Sequence, residues 1–327
     1  MIIVLKSDTS VGAEEALSSM LSLRGIVFSR MAWEGCTVYV CPVCPGEDVC
    51  QMIRGFSFVE KLIPFAERPL RCESGGAPFE YSGITIGRDL CVIAGPCAVQ
   101  EDQDLEQAAS KAASAGARMF RAGAFKPRTS PYAFQGLGAE AIGRIVAAGK
   151  KSGLPTVCEI PSEAYLDSFR DIDILQVGAR NMQNFELLKA LGRCGKPVLL
   201  KRGAGCTVDE LLFACEYIFS GGNERVILCE RGIRTFENVT RNTLDVSAVA
   251  VLKKRTGLPV FADPSHAAGD RSLVGSLSLA AVAAGADGLM IEASDSAEKA
   301  LSDSAQAIDY ETLSVIIRKA FAIREML

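Results

Sequence analysis

The chain has 327 residues, 49% of them hydrophobic and 23% charged, which is the composition of a globular protein rather than of a disordered chain. Its net charge of −4 argues against a nucleic-acid-binding protein, because that function normally needs a strongly basic face. The first residues lack the basic segment and cleavage site of a signal peptide, and no apolar run is long enough to span a bilayer. We therefore expect a cytoplasmic protein that binds neither nucleic acid nor membranes.

The first 70 residues predict a small domain of the ferredoxin-like α+β class. The apolar patterns read as the strand "IIVLK", the helix "AEEALSSMLSL", the strands "GIVFSRM" and "CTVYVCP", the helix "EDVCQMIRG" and the strand "VEKLIPF". This segment offers no convergent catalytic groups. We expect residues 71–89, in a Gly-rich polar stretch, to form a linker.

The domain also holds four of the twelve cysteines close together in "CTVYVCPVCPGEDVC", namely Cys36, Cys41, Cys44 and Cys50. The spacing of Cys41 and Cys44 suits zinc or redox chemistry, but no second pair follows at a metal-binding spacing. A chain of this length does not need a disulfide framework. We interpret the cluster as reduced thiols outside the functional site.

Residues 90–327 alternate short apolar runs with amphipathic segments, which is typical of a parallel sheet. Eight candidate strands follow one another: "LCVIAG", "RMFRAG", "LPTVCE", "DILQVG", "KPVLLK", "RVILCE", "LPVFAD" and "DGLMIE". Eight strands and eight helical segments over this length predict a (β/α)₈ barrel. The fold class is therefore α/β, a TIM barrel that follows a small ferredoxin-like domain.

The ends of the candidate strands carry many cations. Eight Lys or Arg residues stand there, from four strands: Arg121, Lys126, Arg128, Arg180, Lys201, Arg202, Arg231 and Arg234. Active sites of such barrels lie at the carboxyl ends of the strands. Because like charges repel unless an anion neutralises them, the pattern predicts a site for ligands that carry several negative charges.

A second group of strand-end residues contains the only histidine of the chain, His266. This residue could be a satisfied core histidine, an acid/base catalyst or a metal ligand. Cys97, Glu292 and Asp303 come from the ends of the first and eighth strands, and in a closed barrel the eighth strand lies between the seventh and the first. A thiolate, an imidazole and two carboxylates suit a divalent transition metal, so the convergence favours the ligand hypothesis.

Several motifs resemble the 3-deoxy-D-arabino-heptulosonate 7-phosphate (DAHP) synthases, in the branch that includes 3-deoxy-D-manno-octulosonate 8-phosphate (KDO8P) synthase. They are "IAGPCAV", "RAGAFKPRTSPYAFQGLG", "QVGARNMQNF", "PVLLKRG", "ILCERGIRTF", "NTLDVSAV", "DPSHAAGDR" and "EKALSDSAQ". The first 70 residues are similar to a ferredoxin-like regulatory domain that some members carry. The resemblance implies a condensation of phosphoenolpyruvate with erythrose 4-phosphate, which yields DAHP and phosphate in the first step of the shikimate pathway.

The resemblance also implies roles for individual residues. Phosphoenolpyruvate would be bound by Arg121, Lys126, Arg180, Lys201 and Arg231. The aldose phosphate would be bound by Arg128, Thr129 and Ser130. A divalent metal such as Mn, Fe, Co or Zn would be bound by Cys97, His266, Glu292 and Asp303. Lys126 is the expected proton donor, and Glu159 the residue that helps to place the attacking water. Family members further suggest inhibition by tyrosine or phenylalanine and a homo-oligomer, with a tetramer favoured.

The chain departs from the family after Glu292, where it reads "EASDSAEKA" and members read close to "EVHPDP". Asp295, Glu298 and Asp303 all lie in this loop, and we expect Asp303 to be the ligand because it keeps the family's distance from Glu292.

Three alternatives to this function remain. KDO8P synthase typically reads "KANRTS" where this chain reads "KPRTS", which favours the DAHP enzyme. A Schiff-base aldolase would use Lys201 as its nucleophile, and a non-catalytic amino-acid sensor would need none of the residues at the strand ends.

Overall fold

A computed structural model describes residues 1–33, 35–42, 45–63, 70–128, 130–299 and 303–327. The chain divides into two compact units, Met1–Pro69 and Leu70–Leu327. In these described segments, no helix is both long enough and apolar enough to cross a membrane.

The described residues of the first unit form a four-stranded antiparallel sheet with two helices. Its elements in chain order are β1 (Ile2–Leu5), α1 (Val11–Leu23), β2 (Ser29–Trp33), β3 (Cys36–Val40), α2 (Glu47–Arg54) and β4 (Val59–Ile63). The strand order across the sheet is β2-β3-β1-β4. Ile3 and Leu5 of β1 pack with Leu17 and Leu21 of α1 in the core. The predicted order of strands and helices in a small α+β unit is confirmed.

Residues 71–89 differ from the linker that the sequence predicts. They form the helix α3 (Arg71–Ser74) and a hairpin of β5 (Phe79–Tyr81) and β6 (Ile84–Ile86). Ser82 and Gly83 both have positive φ, as the type I′ two-residue hairpin turn requires. The side chains of Ile84 and Ile86 are buried in the same apolar cluster as Cys91 and Ile174, the first residues of two barrel strands. The segment is part of the second unit because it covers the amino-terminal end of the barrel.

The eight predicted barrel strands are confirmed. They are β7 (Cys91–Gly95), β8 (Met119–Arg121), β9 (Thr156–Glu159), β10 (Ile174–Val177), β11 (Val198–Lys201), β12 (Val226–Glu230), β13 (Val260–Ala262) and β14 (Gly288–Glu292). Each pairs in parallel with the next, and β14 closes the barrel on β7. The strand residues are buried on both faces, which explains why the strands read as continuous apolar runs.

Helices surround this barrel, but the connection between β9 and β10 differs from the helical segment that the sequence predicts. The helices are α4 (Leu105–Ser114), α5 (Glu140–Ser152), α6 (Phe185–Arg193), α7 (Val208–Ser220), α8 (Val246–Arg255), α9 (Pro264–Ala268), α10 (Arg271–Ala283) and α11 (Tyr310–Arg324). Between β9 and β10, a 3₁₀ turn at Glu163–Tyr165 stands where the pattern predicts a helix. The short connection between these strands is completed by further turns.

Candidate active site

Four potential metal ligands meet at the carboxyl ends of three neighbouring strands. Cys97 follows β7, His266 lies on α9 directly after β13, Glu292 is the last residue of β14, and Asp303 lies in the loop that follows β14. One ligand atom from each residue lies within 4.8 Å of the others. The structure therefore brings together the four residues that the sequence singles out.

Asp263 orients the imidazole of His266. As the N-cap of α9, Asp263 accepts a hydrogen bond from the backbone N–H of His266 through Oδ1, at 2.9 Å. Its Oδ2 lies 2.7 Å from Nδ1 of His266 and accepts a hydrogen bond from Lys201 Nζ at 2.5 Å. Burial lowers the pKa of His266, so the ring is neutral at neutral pH. With the proton on Nδ1, the lone pair of Nε2 is available to a metal.

The other ring nitrogen of His266, Nε2, lies beside the carboxylate of Glu292. Oε1 of Glu292 is 3.2 Å away. Burial would raise the pKa of Glu292, but its neighbours His266, Arg121 and Lys126 lower the pKa to about 2. With the proton of the ring on Nδ1, Nε2 and Oε1 of Glu292 are both acceptors, and a cation between them would relieve their repulsion. The donor set therefore fits a divalent cation.

Lys126 contacts the other two members of the quartet. Its Nζ lies 2.5 Å from both Cys97 Sγ and Asp303 Oδ2, which are themselves 3.0 Å apart. Burial would raise the pKa of Asp303, but Lys126 lowers it far below the usual range. Burial raises the pKa of the Cys97 thiol, so a metal would have to displace its proton. The backbone of Asp303 has φ +53°, in the left-handed region.

Buried cations adjoin the quartet. Arg121 donates to Glu292 Oε1 at 2.7 Å, and in the part of the chain that the structure describes its buried Nε has no hydrogen-bond partner. Arg231 donates to the backbone oxygen of His266 at 3.3 Å, and burial lowers its pKa. Lys201 reaches the site through Asp263. An unpaired guanidinium nitrogen in this position is suited to an anionic ligand.

The other predicted phosphate ligands lie on the loop after β8 or contact it. Arg128 Nε donates to the backbone oxygen of Phe134 at 3.1 Å, and Ser130 Oγ accepts from the backbone of Tyr132 at 3.3 Å. Arg180 donates to the backbone oxygen of Pro127. The predicted ligand Thr129 lies outside the described residues.

Glu159, which the sequence predicts to place the water, ends β9. Its Oε2 accepts a hydrogen bond from Gln176 Nε2 of the neighbouring strand at 2.8 Å. The amide fixes the direction of this carboxylate.

Arg202 stands among the eight cations that the sequence assigns to the anion site, but the structure pairs it internally. Its NH1 lies 2.9 Å from both Glu230 Oε2 and Asp245 Oδ2. These contacts tie the end of β11 to the end of β12 and to the N-cap of α8. Its charge is therefore compensated by carboxylates of the fold.

Two residues that sequence reasoning missed connect the carboxylates of the quartet. Arg241 NH1 donates to Asp303 Oδ1 at 2.9 Å and to Gln306 Oε1 at 3.0 Å. Gln306 Nε2 donates to Glu292 Oε2 at 2.7 Å. Arg241 does not stand at the end of a barrel strand, so the sequence offers no reason to place it in the site. Gln306 lies only three residues after the predicted ligand Asp303, so its closeness to the site could have been predicted.

The unusual loop after Glu292 keeps Asp295 away from the quartet. Asp295 Oδ2 accepts from Lys111 Nζ at 2.5 Å in an exposed ion pair. Ala293 and Ile308 form a parallel bridge at the two ends of the loop. The geometry thus selects Asp303 over Asp295 as a potential ligand.

The chain is a closed parallel barrel whose strand ends carry a thiol, an imidazole and two carboxylates beside buried cations, in the position where (β/α)₈-barrel enzymes have their active sites. The model of the DAHP synthetase I family matches residues 68–325. The chain belongs to this family and is an enzyme.

Relatives with known names agree with this assignment. Over 242 residues the chain is 46% identical to a phospho-2-dehydro-3-deoxyheptonate aldolase of Thermotoga maritima, covering 73% of this chain and 72% of the relative. A 2-dehydro-3-deoxyphosphooctonate aldolase of Geobacter sulfurreducens is more distant, with 31% identity over 73% of this chain and 97% of its own length.

Solved structures extend the likeness to the whole chain. The crystal structure of the Thermotoga maritima phospho-2-dehydro-3-deoxyheptonate aldolase (DAHP synthase) has a TM-score of 0.79 and 36% identity, covering 99% of this chain and 97% of that one. A truncated form of 3-deoxy-D-arabino-heptulosonate 7-phosphate synthase from the same organism has a TM-score of 0.71 and 40% identity, covering 77% of this chain and 93% of that one.

Proposed function

We propose that this enzyme condenses phosphoenolpyruvate with erythrose 4-phosphate to give DAHP and phosphate, the first step of aromatic amino-acid biosynthesis. C3 of phosphoenolpyruvate forms a bond to the aldehyde carbon, water adds to C2, and phosphate leaves by C–O cleavage. The observation that carries the proposal is the meeting of Cys97, His266, Glu292 and Asp303 beside buried Arg121. Because the chain belongs to the DAHP synthetase I family, this cluster supports the metal-binding role that the sequence predicts for the four residues.

A divalent metal, for which Mn, Fe, Co and Zn are candidates, is held by the quartet in this proposal. When bound, it supplies a Lewis acid for the aldehyde of the acceptor. His266 contributes a neutral nitrogen whose direction Asp263 fixes. Glu292 contributes a carboxylate that is ionised at neutral pH. Thiolate, imidazole and carboxylate together accept several divalent ions, so availability selects among them.

The cations of the site bind the two substrates. Arg121, Lys126, Arg180, Lys201 and Arg231 hold the phosphate and carboxylate of phosphoenolpyruvate, and the buried Nε of Arg121 supports this assignment. Arg128, Thr129 and Ser130 hold the phosphate of the aldose. Guanidinium groups suit both ligands because they bind carboxylate and phosphate oxygens in pairs.

Lys126 donates the proton to the alkoxide that forms at the aldehyde oxygen. Burial would lower the pKa of Lys126, but Cys97, Glu292 and Asp303 raise it, so the amine is protonated at neutral pH. Its contacts with Cys97 and Asp303 support this role, because an aldehyde held at the quartet would lie close to this amine. Glu159, held by Gln176, helps to place the water that adds to C2.

The N-terminal unit is a ferredoxin-like regulatory domain in this proposal. The strand order β2-β3-β1-β4 supports the fold, and the candidate ligands and cations all lie in the second unit. Tyrosine or phenylalanine is the proposed effector. The enzyme works in the cytoplasm as a homo-oligomer, for which a tetramer is favoured.

Phosphate release from phosphoenolpyruvate tests the activity. We expect release with erythrose 4-phosphate, loss of release after chelation, and recovery when a divalent metal is added back. Arabinose 5-phosphate in parallel assays distinguishes a KDO8P synthase, which would prefer the longer aldose.

Two further results would refute the proposal. Borohydride trapping of substrate on Lys201 would indicate a Schiff-base aldolase, although in the structure that amine is paired with the Asp263 carboxylate. Binding of an aromatic amino acid without turnover of either aldose phosphate would indicate a non-catalytic sensor.

A further inference from the structure

The two carboxylates of the proposed metal site, Glu292 and Asp303, belong to segments with different backbone conformations. Glu292 ends a barrel strand whose five residues are all buried. Asp303 lies in a loop, and its backbone has φ +53°, a value that residues other than glycine rarely adopt. A metal site needs both oxygens at fixed positions, so other groups must hold the Asp303 side chain relative to Glu292.

Gln306 connects these carboxylates from a buried position. The residue is only 2% exposed. Its Nε2 donates to Glu292 Oε2 at 2.7 Å, and its Oε1 accepts from Arg241 NH1 at 3.0 Å. The same NH1 donates to Asp303 Oδ1 at 2.9 Å. A continuous path of hydrogen bonds therefore runs from Glu292 through Gln306 and Arg241 to Asp303.

The direction of the Gln306 amide is determined by its partners. If the amide were rotated, its oxygen would face the Glu292 carboxylate and its NH₂ would face the Arg241 guanidinium. Both contacts would then be repulsive, because a carboxylate only accepts and a guanidinium only donates. In the observed direction, Gln306 occupies Oε2 of Glu292 and leaves Oε1 turned toward His266 and Arg121.

We propose that Gln306 is a positioning residue for the metal site, acting on Glu292 directly and on Asp303 through Arg241. The inference rests on the proposed function, since it concerns the metal of that reaction. Gln306 touches neither substrate nor reacting atoms in this assignment. Groups that orient metal ligands in this way change metal affinity by about 10-fold to 100-fold when they are removed.

The test compares Co²⁺ binding by the full-length wild type, Gln306→Met and Gln306→Glu. Methionine keeps the length of the side chain and removes both hydrogen bonds. Glutamate keeps the acceptor for Arg241 and puts an oxygen against Glu292 Oε2. The matched control is Gln107→Met, at an exposed position on α4. Dissociation constants come from competition with a chelator, and the visible spectrum of bound Co²⁺ reports thiolate ligation and geometry.

We expect Co²⁺ to bind about 10-fold to 100-fold more weakly to both Gln306 variants, with altered visible bands, and to bind the Gln107 variant as it binds the wild type. Gln306→Glu nearly preserves side-chain volume, so it decides the question if Gln306→Met fails to fold. Wild-type affinity and spectrum in a folded Gln306→Glu protein would overturn the inference.

Phosphate release by the same wild-type sample separates this inference from the proposed function. A wild type that binds Co²⁺ but releases no phosphate would refute the function, and the variants would still decide the role of Gln306. A wild type that binds no Co²⁺ would overturn the inference itself.

Discussion

Replacing Asp263 by asparagine removes the charge that organises one side of the site. The carboxylate is fully buried, and it contacts Lys201 Nζ at 2.5 Å and both the ring and the backbone nitrogen of His266 at 2.7 and 2.9 Å. Burial would raise the pKa of Asp263, but His266 and Lys201 hold it well below its usual value, so the group is ionised in the folded protein. Asparagine has one oxygen for three donors, so a donor faces a donor in either orientation of the amide.

The expected loss of stability follows from the buried ion pair. Removing one partner of such a pair costs about 3–5 kcal/mol, because the other charge stays buried without compensation. For a barrel of this size, each kcal/mol lowers the melting temperature by roughly 2 °C, so we expect a decrease of about 6–10 °C. We also expect metal to bind about 10-fold to 100-fold more weakly, since the amide no longer selects the tautomer with a free Nε2 lone pair.

Thermal unfolding of the metal-free proteins measures the first effect, and competition with a chelator measures the second. Asp270→Asn is the matched control, because Asp270 is also a helix N-cap but is exposed, and asparagine is an equally good cap there. If Asp263→Asn melts at the temperature of the control and binds metal with the same affinity, the buried charge has no role in preparing His266.

Three further predictions concern the metal and the N-terminal unit. His266→Ala and Cys97→Ala should lower metal content and activity together; full metal occupancy in an inactive, folded His266→Ala protein would instead show an acid/base catalyst. Asp303→Ala should weaken metal binding at least about 10-fold, as chelator competition measures, whereas Asp295→Ala removes only an exposed ion pair and should leave the affinity nearly unchanged; the reverse order would show that the altered loop has moved a ligand. Deleting residues 1–69 should preserve phosphate release and abolish inhibition by tyrosine or phenylalanine, and a folded truncated barrel without turnover would show that the N-terminal unit contributes to catalysis.

The barrel could be predicted because strands buried on both faces leave an unambiguous apolar pattern. The quartet could be predicted because closure places β14 beside β7, which brings Glu292 close to Cys97 without any knowledge of side-chain geometry. The hairpin at residues 79–86 could not, because its strands are only three residues long and lie in a Gly-rich polar stretch. The available signals were the alternation of Ile84 and Ile86 and the Ser82-Gly83 pair that forms the turn.

The order of the strands does not predict which side chains contact one another. Arg202 and Lys201 are adjacent at the same strand end, yet Arg202 pairs with Glu230 on the next strand, and Lys201 pairs with Asp263 one strand further. Which carboxylate each cation meets depends on register and on the direction of the side chain. Arg241 was out of reach for a different reason, since only the folding of two loops brings it to Asp303.

These pairings change the electrostatic argument for anion binding. From the sequence we infer that the cations at the strand ends need an anionic ligand to neutralise them. In the structure, however, Arg121 is paired with Glu292 and Lys126 with Asp303. Both carboxylates belong to the proposed metal site. A divalent cation bound there would take up part of their negative charge and leave more of the positive charge of Arg121 and Lys126 for phosphate and carboxylate groups. The affinity of this site for anions therefore depends on the metal as well as on the number of its cations.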